Sequence, residues 1–266
     1  MDKKHNSLTR NNLKQNSFNA LVQGKQDGKA DKASKTKGHA TLNAKNKIRL
    51  QGEIMDIQKE VAKILLKVKA VFLRPTQPFT WASGIKSPIY CDNRLTLAYP
   101  EERRFIENAL ADIVKKEYPE CEALFGTSTA GIPHAAIMSE ILSLPMGYVR
   151  SSEKTHGREN KIEGANPSGK KVVVVEDLIS TGGSSIDVVN ALREAGATVL
   201  GIVSVFTYGL KKGIEKLEAA CVVNHSVSNF DAVVEVALET GYIDEKEKEM
   251  LIKFRSNPSD DSWMSI

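Results

Sequence analysis

The chain has 266 residues, of which 41% are hydrophobic and 26% charged, and its formal net charge is +4. This length allows one large domain or two small ones. No apolar run approaches the 18 residues of a membrane span, and no short apolar segment opens the chain, so membrane and secreted classes are disfavoured. Three cysteines without metal-ligand spacing, Cys91, Cys121 and Cys221, are typical of a reducing compartment, and we expect a cytoplasmic protein.

The first fifty residues differ in composition from the rest of the chain. They hold twelve Lys or Arg against three Asp, whereas the remainder holds 25 basic and 30 acidic side chains. Few of them are large and apolar, so folding could not bury enough surface to offset the ordering entropy. We predict a basic, disordered N-terminal extension over 1–53 and one folded domain over 54–266. The charge would suit RNA or an anionic surface, but a solvated tail is the simpler interpretation, and no nucleic-acid or membrane partner is expected.

The domain is predicted to begin with an amphipathic helix. From Ile57 the apolar residues recur at helical spacing, and Pro75 and Pro78 end this helix. The segment FTWASGIKSPIYCDNR, residues 79–94, has Gly, Pro and aromatic punctuation and indicates a hairpin or a pair of short strands. A helix follows Pro100, with acids in its first turn and Lys near its end. EALFG then reads as a short buried strand.

Strands and helices alternate in the second half. TSTAGIPHAAIMSEIL predicts a loop entering a helix, PMGYVR predicts a strand ending at Arg150, and the polar stretch from Ser151 to Lys170 has no apolar period. The predicted elements that follow are a valine strand, a helix from about Ser184 to Ala195, the strand TVLGIVSVF, a helix around Ile214–Ala219, a short strand near Cys221–Val223 and two C-terminal helices. This order predicts an α/β fold with a mainly parallel central sheet flanked by helices. Ligands of such sheets bind beyond the carboxyl ends of the strands.

The stretch VVVVEDLISTGGSS, residues 172–185, carries the clearest functional pattern. Its valine run indicates a strand buried on both faces, followed by a loop of hydroxyl residues and two glycines that enters a helix. Glycines allow close backbone approach, and the N–H groups of a helix N-terminus favour an anion. We interpret the loop as a cradle for a phosphate monoester; a capped helix start is the plainer alternative. No Gly-Lys-Ser/Thr follows and G-x-G-x-x-G is absent, which excludes a P-loop and a dinucleotide fingerprint.

Two acids, Glu176 and Asp177, stand between the valines and this loop. They would repel a phosphate unless they bound something else. Carboxylates accept strong hydrogen bonds from the vicinal hydroxyls of a sugar, and a hydrated Mg²⁺ nearby would relieve the repulsion further. The combination therefore indicates a ribose 5-phosphate site.

The same stretch resembles the phosphoribosyl diphosphate (PRPP) signature of type I phosphoribosyltransferases. YVRSSEKTHGRENKIEG, SGIKSPIYCDNR and GTSTAGIPHAA are similar to segments of orotate phosphoribosyltransferases, and SNPSDDSW resembles the C-terminal end of some bacterial members. The resemblance covers about residues 55–266. It implies the type I fold with a small hood region, a homodimer with a shared active site, and Mg²⁺ accompanying PRPP. The implied reaction converts orotate and PRPP to orotidine 5′-phosphate and diphosphate in pyrimidine (UMP) biosynthesis.

The resemblance also implies roles for individual residues. The implied catalytic residues are Lys154, His156 and Asp177. Lys154 and His156 belong to a loop that is mobile in the family, and cations placed where charge develops on the leaving diphosphate lower the barrier. Closure of the loop would also exclude water. The implied PRPP-binding residues are Arg150, Lys154, His156, Glu176, Asp177, Leu178, Ile179, Ser180, Thr181, Gly182, Gly183 and Ser184. The implied orotate-binding residues are Ser180, Tyr90 and Cys91.

The chain departs from the family pattern at several positions. Better-studied relatives have Lys where Ala82, Ala130 and Ser151 align, and a base-recognising Arg where Tyr208 aligns. Lys86 and Arg94 are nearby cations that would compensate, or they are ordinary surface charges. Two other functions therefore stay open at this point. One is transfer to a purine or xanthine base, and the other is a non-enzymatic PRPP sensor whose basic extension binds nucleic acid.

Overall fold

The computed structural model of the protein describes residues 52–81, 84–150 and 161–266. The predicted disorder of 1–53 falls outside these ranges except at residues 52 and 53, which already belong to the first described helix. None of the helices in the described ranges is long and apolar enough to cross a membrane. The boundary between extension and domain at residue 53 stays a prediction.

The helices match the predicted order closely. The α-helices in the described ranges are α1 (52–67), α2 (Pro100–Glu117), α3 (Gly131–Leu142), α4 (Gly183–Glu194), α5 (Lys211–Ala219), α6 (Phe230–Glu239) and α7 (Glu245–Ser256). Two 3-10 helices, Asn93–Ala98 and Asp261–Ser265, accompany them. α7 starts with a capping box in which Asp244 and Glu247 satisfy each other's backbone N–H groups.

The strands form one large sheet and two small ones. They are β1 (Val71–Leu73), β2 (Phe79–Thr80), β3 (Lys86–Ser87), β4 (Ile89–Cys91), β5 (Ala123–Thr127), β6 (Met146–Val149), β7 (Ile162–Gly164), β8 (Lys171–Ile179), β9 (Thr198–Thr207) and β10 (Asn224–Asn229). The six-stranded sheet has the order β10-β9-β8-β5-β6-β7, and all its pairs are parallel except β6–β7. The predicted mainly parallel sheet is therefore confirmed. The antiparallel pairs β1–β4 and β2–β3 correspond to the predicted hood region.

The centre of the sheet is buried on both faces. Val172, Val173, Val174 and Val175 of β8 are all 0% exposed, and they alternate between two apolar clusters, one on each side of the sheet. Period-two alternation in a strand covered by helices on both faces explains why four consecutive valines occur here. This rigid strand fixes the position of the residues that follow it.

Two local predictions were wrong. The strand expected near Cys221–Val223 lies later, at β10, because Cys221 and Val222 close the turn after α5 through hydrogen bonds to Glu218 and Leu217. The polar stretch after Arg150 is not structureless throughout. Its residues Ile162–Gly164 form the antiparallel edge strand β7 against β6.

Candidate active site

The loop between β8 and α4 has the geometry of an anion cradle. Three residues, 180–182, connect Ile179 to Gly183, and Gly182 caps the helix with a φ of 71°, a left-handed conformation that favours glycine. The first N–H groups of a helix have no partner within it, and they carry the positive end of the helix dipole. The loop can therefore bind a phosphate through its backbone.

Helix α5 packs closely against this loop. A Cβ atom on Gly213 would lie 2.5 Å from the carbonyl oxygen of Ser180, so a glycine is needed for the two segments to approach this closely. A Cβ atom on Gly183 would meet only the Nζ atom of Lys216, at 3.9 Å. Lys216 thus places an ammonium group beside the cradle. The sequence pattern missed it because it lies on another helix, more than thirty residues further along the chain.

The other motif residues have different degrees of exposure. Ile179 is 2% exposed and packs in one apolar cluster, and Leu178 is half-buried against the other, so contacts from these two to a ligand would come from the backbone. Ser180 and Thr181 are half-buried, and Ser184 is exposed at the start of α4. The hydroxyl groups of the loop are therefore the accessible part of the motif.

Asp177, beside the cradle, has a carboxylate with a raised pKa. Burial and the adjacent Glu176 carboxylate raise the pKa of Asp177 to about 7, while the charge of His134 on α3 acts in the opposite direction. The hood segment reaches the same point, because the Nδ2 atom of Asn93 donates a hydrogen bond of 2.6 Å to the Asp177 carbonyl oxygen. A cation or hydroxyl donors bound to this carboxylate would stabilise its charged form.

Glu176, the acid directly before Asp177, is 5% exposed. Its Oε1 atom accepts hydrogen bonds from the Thr127 hydroxyl at 2.7 Å and from the Asp177 backbone N–H at 2.9 Å. Its Oε2 atom accepts one from the Ser185 hydroxyl at 2.7 Å. Both oxygens thus accept hydrogen bonds within the protein, and the predicted contact of Glu176 with a ribose stays a prediction.

The loop after β5 and the end of β6 border a cavity of about 410 Å³. Ser128, Arg150 and Ser184 contribute to its wall. Arg150 follows β6, and its guanidinium lies 3.8 Å from the Glu163 carboxylate. A volume of this size suits a small ligand. Lys154 and His156, the predicted catalytic cations, lie outside the described residues.

The two predicted base contacts in the hood differ in exposure. Tyr90 is 41% exposed and packs on Phe79 with ring centroids 5.5 Å apart, whereas Cys91 is buried and donates to the Oδ1 atom of Asn93 at 3.2 Å. The two side chains point to opposite faces of β4 because side chains alternate along a strand. Tyr208 is 3% exposed and packs edge-on against Trp81, so it belongs to the core.

The two cations considered as substitutes both have partners in the hood. Lys86 donates from Nζ to the Thr80 hydroxyl at 2.8 Å, and Arg94 forms a two-point contact with Asp92 at 2.6 and 2.8 Å. Both are largely exposed. Ala82 and Ser151 lie outside the described residues, and Ala130 stands directly before α3.

The mainly parallel sheet carries, at one edge, both the loop that can bind a phosphate and Asp177, the acid whose pKa is raised. The small hood contacts the same point through Asn93. These features together are those of a phosphoribosyltransferase. A model of the phosphoribosyl transferase domain matches residues 99–240. The orotate phosphoribosyltransferase of Bacillus cereus (strain G9842) is 56% identical over 209 residues, which cover 79% of this chain and 100% of the relative. The chain therefore belongs to the orotate phosphoribosyltransferase family.

Solved structures agree with this assignment. The crystal structure of orotate phosphoribosyltransferase from Aeropyrum pernix matches with a TM-score of 0.60 and 30% identity, covering 69% of this chain and 99% of that one. Leishmania donovani UMP synthase matches with a TM-score of 0.65 and 25% identity over 74% of this chain. The match covers 42% of the UMP synthase chain.

Proposed function

We propose that the protein transfers ribose 5-phosphate from PRPP to the N1 atom of orotate, releasing diphosphate and forming orotidine 5′-phosphate for pyrimidine biosynthesis. The observation that carries this proposal is the position of Asp177 directly beside the cradle at residues 180–184. A phosphate on the cradle and a ribose diol on the acid would together belong to one ribose 5-phosphate. Relatives named for this reaction are 56% identical, which supports orotate as the base.

The protein would hold PRPP at both of its ends. Backbone N–H groups from Gly182 to Ser184 bind the 5′-phosphate, and the Asp177 carboxylate accepts hydrogen bonds from the ribose hydroxyls. Bond breakage at C1′ leaves a cation-like ribose, and orotate attacks from the face opposite the diphosphate, so the configuration inverts. Holding the ribose in one orientation supplies much of the rate enhancement.

The leaving diphosphate requires positive charge. Arg150 lies at the cavity that borders the cradle, and Lys154 and His156 follow it in the loop outside the described residues. We propose that this loop closes over the diphosphate of a neighbouring subunit in a homodimer. Its cations would stabilise the charge that develops on the leaving group, and its closure would exclude water.

Mg²⁺ is proposed to enter with PRPP. The described residues contain no cluster of three or more His, Cys, Asp or Glu that could hold a metal ion, so most ligands would be diphosphate and water oxygens, as is usual for this ion. The Asp177 carboxylate would suit a cation close to it, because burial and the neighbouring Glu176 carboxylate raise its pKa and a cation would favour its charged form. When bound, Mg²⁺ would neutralise part of the phosphate charge.

On the base side, Ser180 and Tyr90 remain the proposed contacts. The buried Tyr208 cannot replace a base-recognising Arg by side-chain contact without repacking against Trp81. Cys91 could reach a base only through its backbone or through Asn93. Incubation with PRPP and a panel of orotate, uracil, adenine, hypoxanthine and xanthine, followed by mass spectrometry, tests the base. Formation of orotidine 5′-phosphate alone is expected, and a purine nucleotide as main product would overturn the proposal.

We also propose that the segment 1–53 is dispensable for this reaction and that the protein acts in the cytoplasm, in keeping with its three free cysteines. Deleting residues 1–53 should leave turnover and thermal stability almost unchanged, because the composition of that segment offers little apolar surface to bury. A large loss of turnover in the purified truncated protein would contradict this. Specific RNA binding by the full chain would give the extension a different role.

A further inference from the structure

Asn93 joins the hood to the end of the central strand. It is the first residue of the 3-10 helix that follows β4, and it is 0% exposed. Its Nδ2 atom donates the 2.6 Å hydrogen bond to the Asp177 carbonyl oxygen, across 84 positions of the chain. A buried polar side chain needs a hydrogen-bond partner, and here that partner lies in a separate part of the fold.

This hydrogen bond forms where a neighbouring strand has ended. β5 pairs with β8 as far as Val175, whereas β9 pairs with it up to Ile179. The backbone of Asp177 therefore has side chains as partners: its N–H donates to Glu176 Oε1 at 2.9 Å, and its carbonyl accepts from Asn93. Buried backbone groups require such partners. Asn93 thus takes the place of a strand partner at the residue proposed to contact the ribose.

The orientation of the Asn93 amide is fixed by its second partner. A peptide carbonyl can only accept a hydrogen bond, so the Nδ2 atom must face Asp177. The Oδ1 atom then faces β4, where the Cys91 thiol donates to it at 3.2 Å. One amide group therefore connects the strand that carries the proposed base contacts, Tyr90 and Cys91, to the acid proposed to contact the ribose.

The two partners of this contact are not equally well supported. Asp177 is held by β8, whose residues on either side of it pair with β9. The hood consists of strand pairs of only two and three residues. Its Trp81 packs edge-on against Tyr208, and an apolar contact of this kind is less directional than a hydrogen bond. Loss of the Asn93 hydrogen bond should therefore displace the hood more than β8.

We propose that Asn93 is a positioning residue that fixes the hood above Asp177 and thereby sets the distance between the base and the ribose. This inference rests on the proposed function. The N1 atom of orotate must lie in line with C1′ when the bond to diphosphate breaks, and small displacements of reacting atoms are costly. Asn93 acts on the alignment of the two substrates and not on the binding of either one alone.

The test compares a ligand that spans both parts of the site with ligands that occupy one part. Orotidine 5′-phosphate contains the base and ribose 5-phosphate in one molecule, whereas orotate and ribose 5-phosphate each supply one of them. Calorimetric titration of the full chain measures the affinity for each ligand. The variant is Asn93→Ala. The matched control is Thr96→Val, because the buried Thr96 hydroxyl donates to the Asn93 carbonyl oxygen at 2.7 Å, so its loss removes a hydrogen bond of the same 3-10 helix and keeps the Asn93 amide.

Asn93→Ala should weaken the binding of orotidine 5′-phosphate by about tenfold, because a linked ligand gains affinity only when its two subsites lie at the right separation. Orotate and ribose 5-phosphate should each lose less than about twofold, since neither spans that separation. At saturating substrates kcat should fall by on the order of tenfold to a hundredfold, with the KM for PRPP nearly unchanged. Thr96→Val should lower the stability to urea and leave the three affinities and kcat close to those of the wild type.

Three results for Asn93→Ala would overturn the inference. The first is an unchanged affinity for orotidine 5′-phosphate. The second is a loss of ribose 5-phosphate as large as that of orotidine 5′-phosphate, which would mean that Asn93 supports Asp177 and not the hood. The third is an equal loss of orotate, as expected of a direct contact with the base.

Hydrogen exchange of the wild type decides the matter if Asn93→Ala does not fold. The side-chain amide of Asn93 should exchange much more slowly than that of the exposed Asn190, and exchange at the same rate would overturn the inference. The proposed reaction fails separately. A wild-type protein that binds ribose 5-phosphate but neither orotate nor orotidine 5′-phosphate would refute the reaction, and the exchange measurement would still decide whether Asn93 anchors the hood.

Discussion

Replacement of Asp177 by Asn should make the ligand-free protein more stable while abolishing its activity. Burial and Glu176 raise the pKa of Asp177 from 3.8 to about 7. A raised pKa in an acid means that folding opposes its ionisation. This penalty is absent below the unfolded pKa near 4, grows as the pH rises, and is fully present above about 7. Asn has nearly the same shape and never ionises, so it removes the penalty.

The size of the effect follows from the shift. A shift of about three pKa units corresponds to about 4 kcal/mol at most, at 1.36 kcal/mol per unit. Because part of this shift comes from the neighbouring Glu176 carboxylate, we expect a gain of about 2–4 kcal/mol in the free energy of unfolding. Loss of the ribose contact should remove PRPP binding at the same time. Such a balance between stability and activity is common at active sites.

Urea unfolding of the ligand-free protein at about pH 8.5 and about pH 4 measures this gain. The stabilisation should be present at the higher pH and small at the lower one, where Asp177 is protonated in the folded state and about half protonated in the unfolded state. Asp56→Asn, at an exposed position of α1, is the matched control and should change little at either pH. An Asp177→Asn protein that is no more stable than the wild type at about pH 8.5 would refute the reasoning.

Three further outcomes are expected. Gly183→Val should abolish PRPP binding in a calorimetric titration without unfolding the sheet, since its Cβ would lie in open space apart from Lys216 Nζ at 3.9 Å; unchanged affinity would exclude the cradle. Gly201→Ala should cost about 1–3 kcal/mol in urea unfolding, because its Cβ would clash with the Tyr118 hydroxyl, and adding Tyr118→Phe should recover part of that; no recovery would contradict the packing. Mixing inactive Lys154→Ala and Asp177→Asn proteins should restore up to about a quarter of wild-type activity if the loop serves the neighbouring subunit; no recovery in mixed dimers verified by mass spectrometry would exclude a shared site.

Much of the fold could be predicted because its signals are local. The buried residues of β8, α2 and α4 are close together in the sequence, so the valine run and the helical periodicity show directly which residues are buried. β7 could not be found this way, since three residues form a strand only because β6 offers an edge to pair with. At β10 the apolar Cys221–Val223 was a stronger signal than the polar strand that follows it.

The site shows a similar division. The turn into α4 was predictable because the left-handed conformation at Gly182 favours glycine and so leaves a local signal. The hydrogen bonds that Glu176 accepts from Thr127 and Ser185 join separate elements, so the sequence pattern could not predict them. The approach of distant segments, such as that of Lys216 to the cradle, leaves no local pattern in the sequence and required the folded structure.

The most direct test of the central claim is a time course of orotate absorbance in the presence of PRPP and Mg²⁺. We expect the absorbance to fall only when all components are present, with equal amounts of orotidine 5′-phosphate and diphosphate formed. Asp177→Asn should show no fall at the same protein concentration, since it lacks the proposed ribose contact. A wild-type protein that binds PRPP but leaves orotate unchanged would contradict the account.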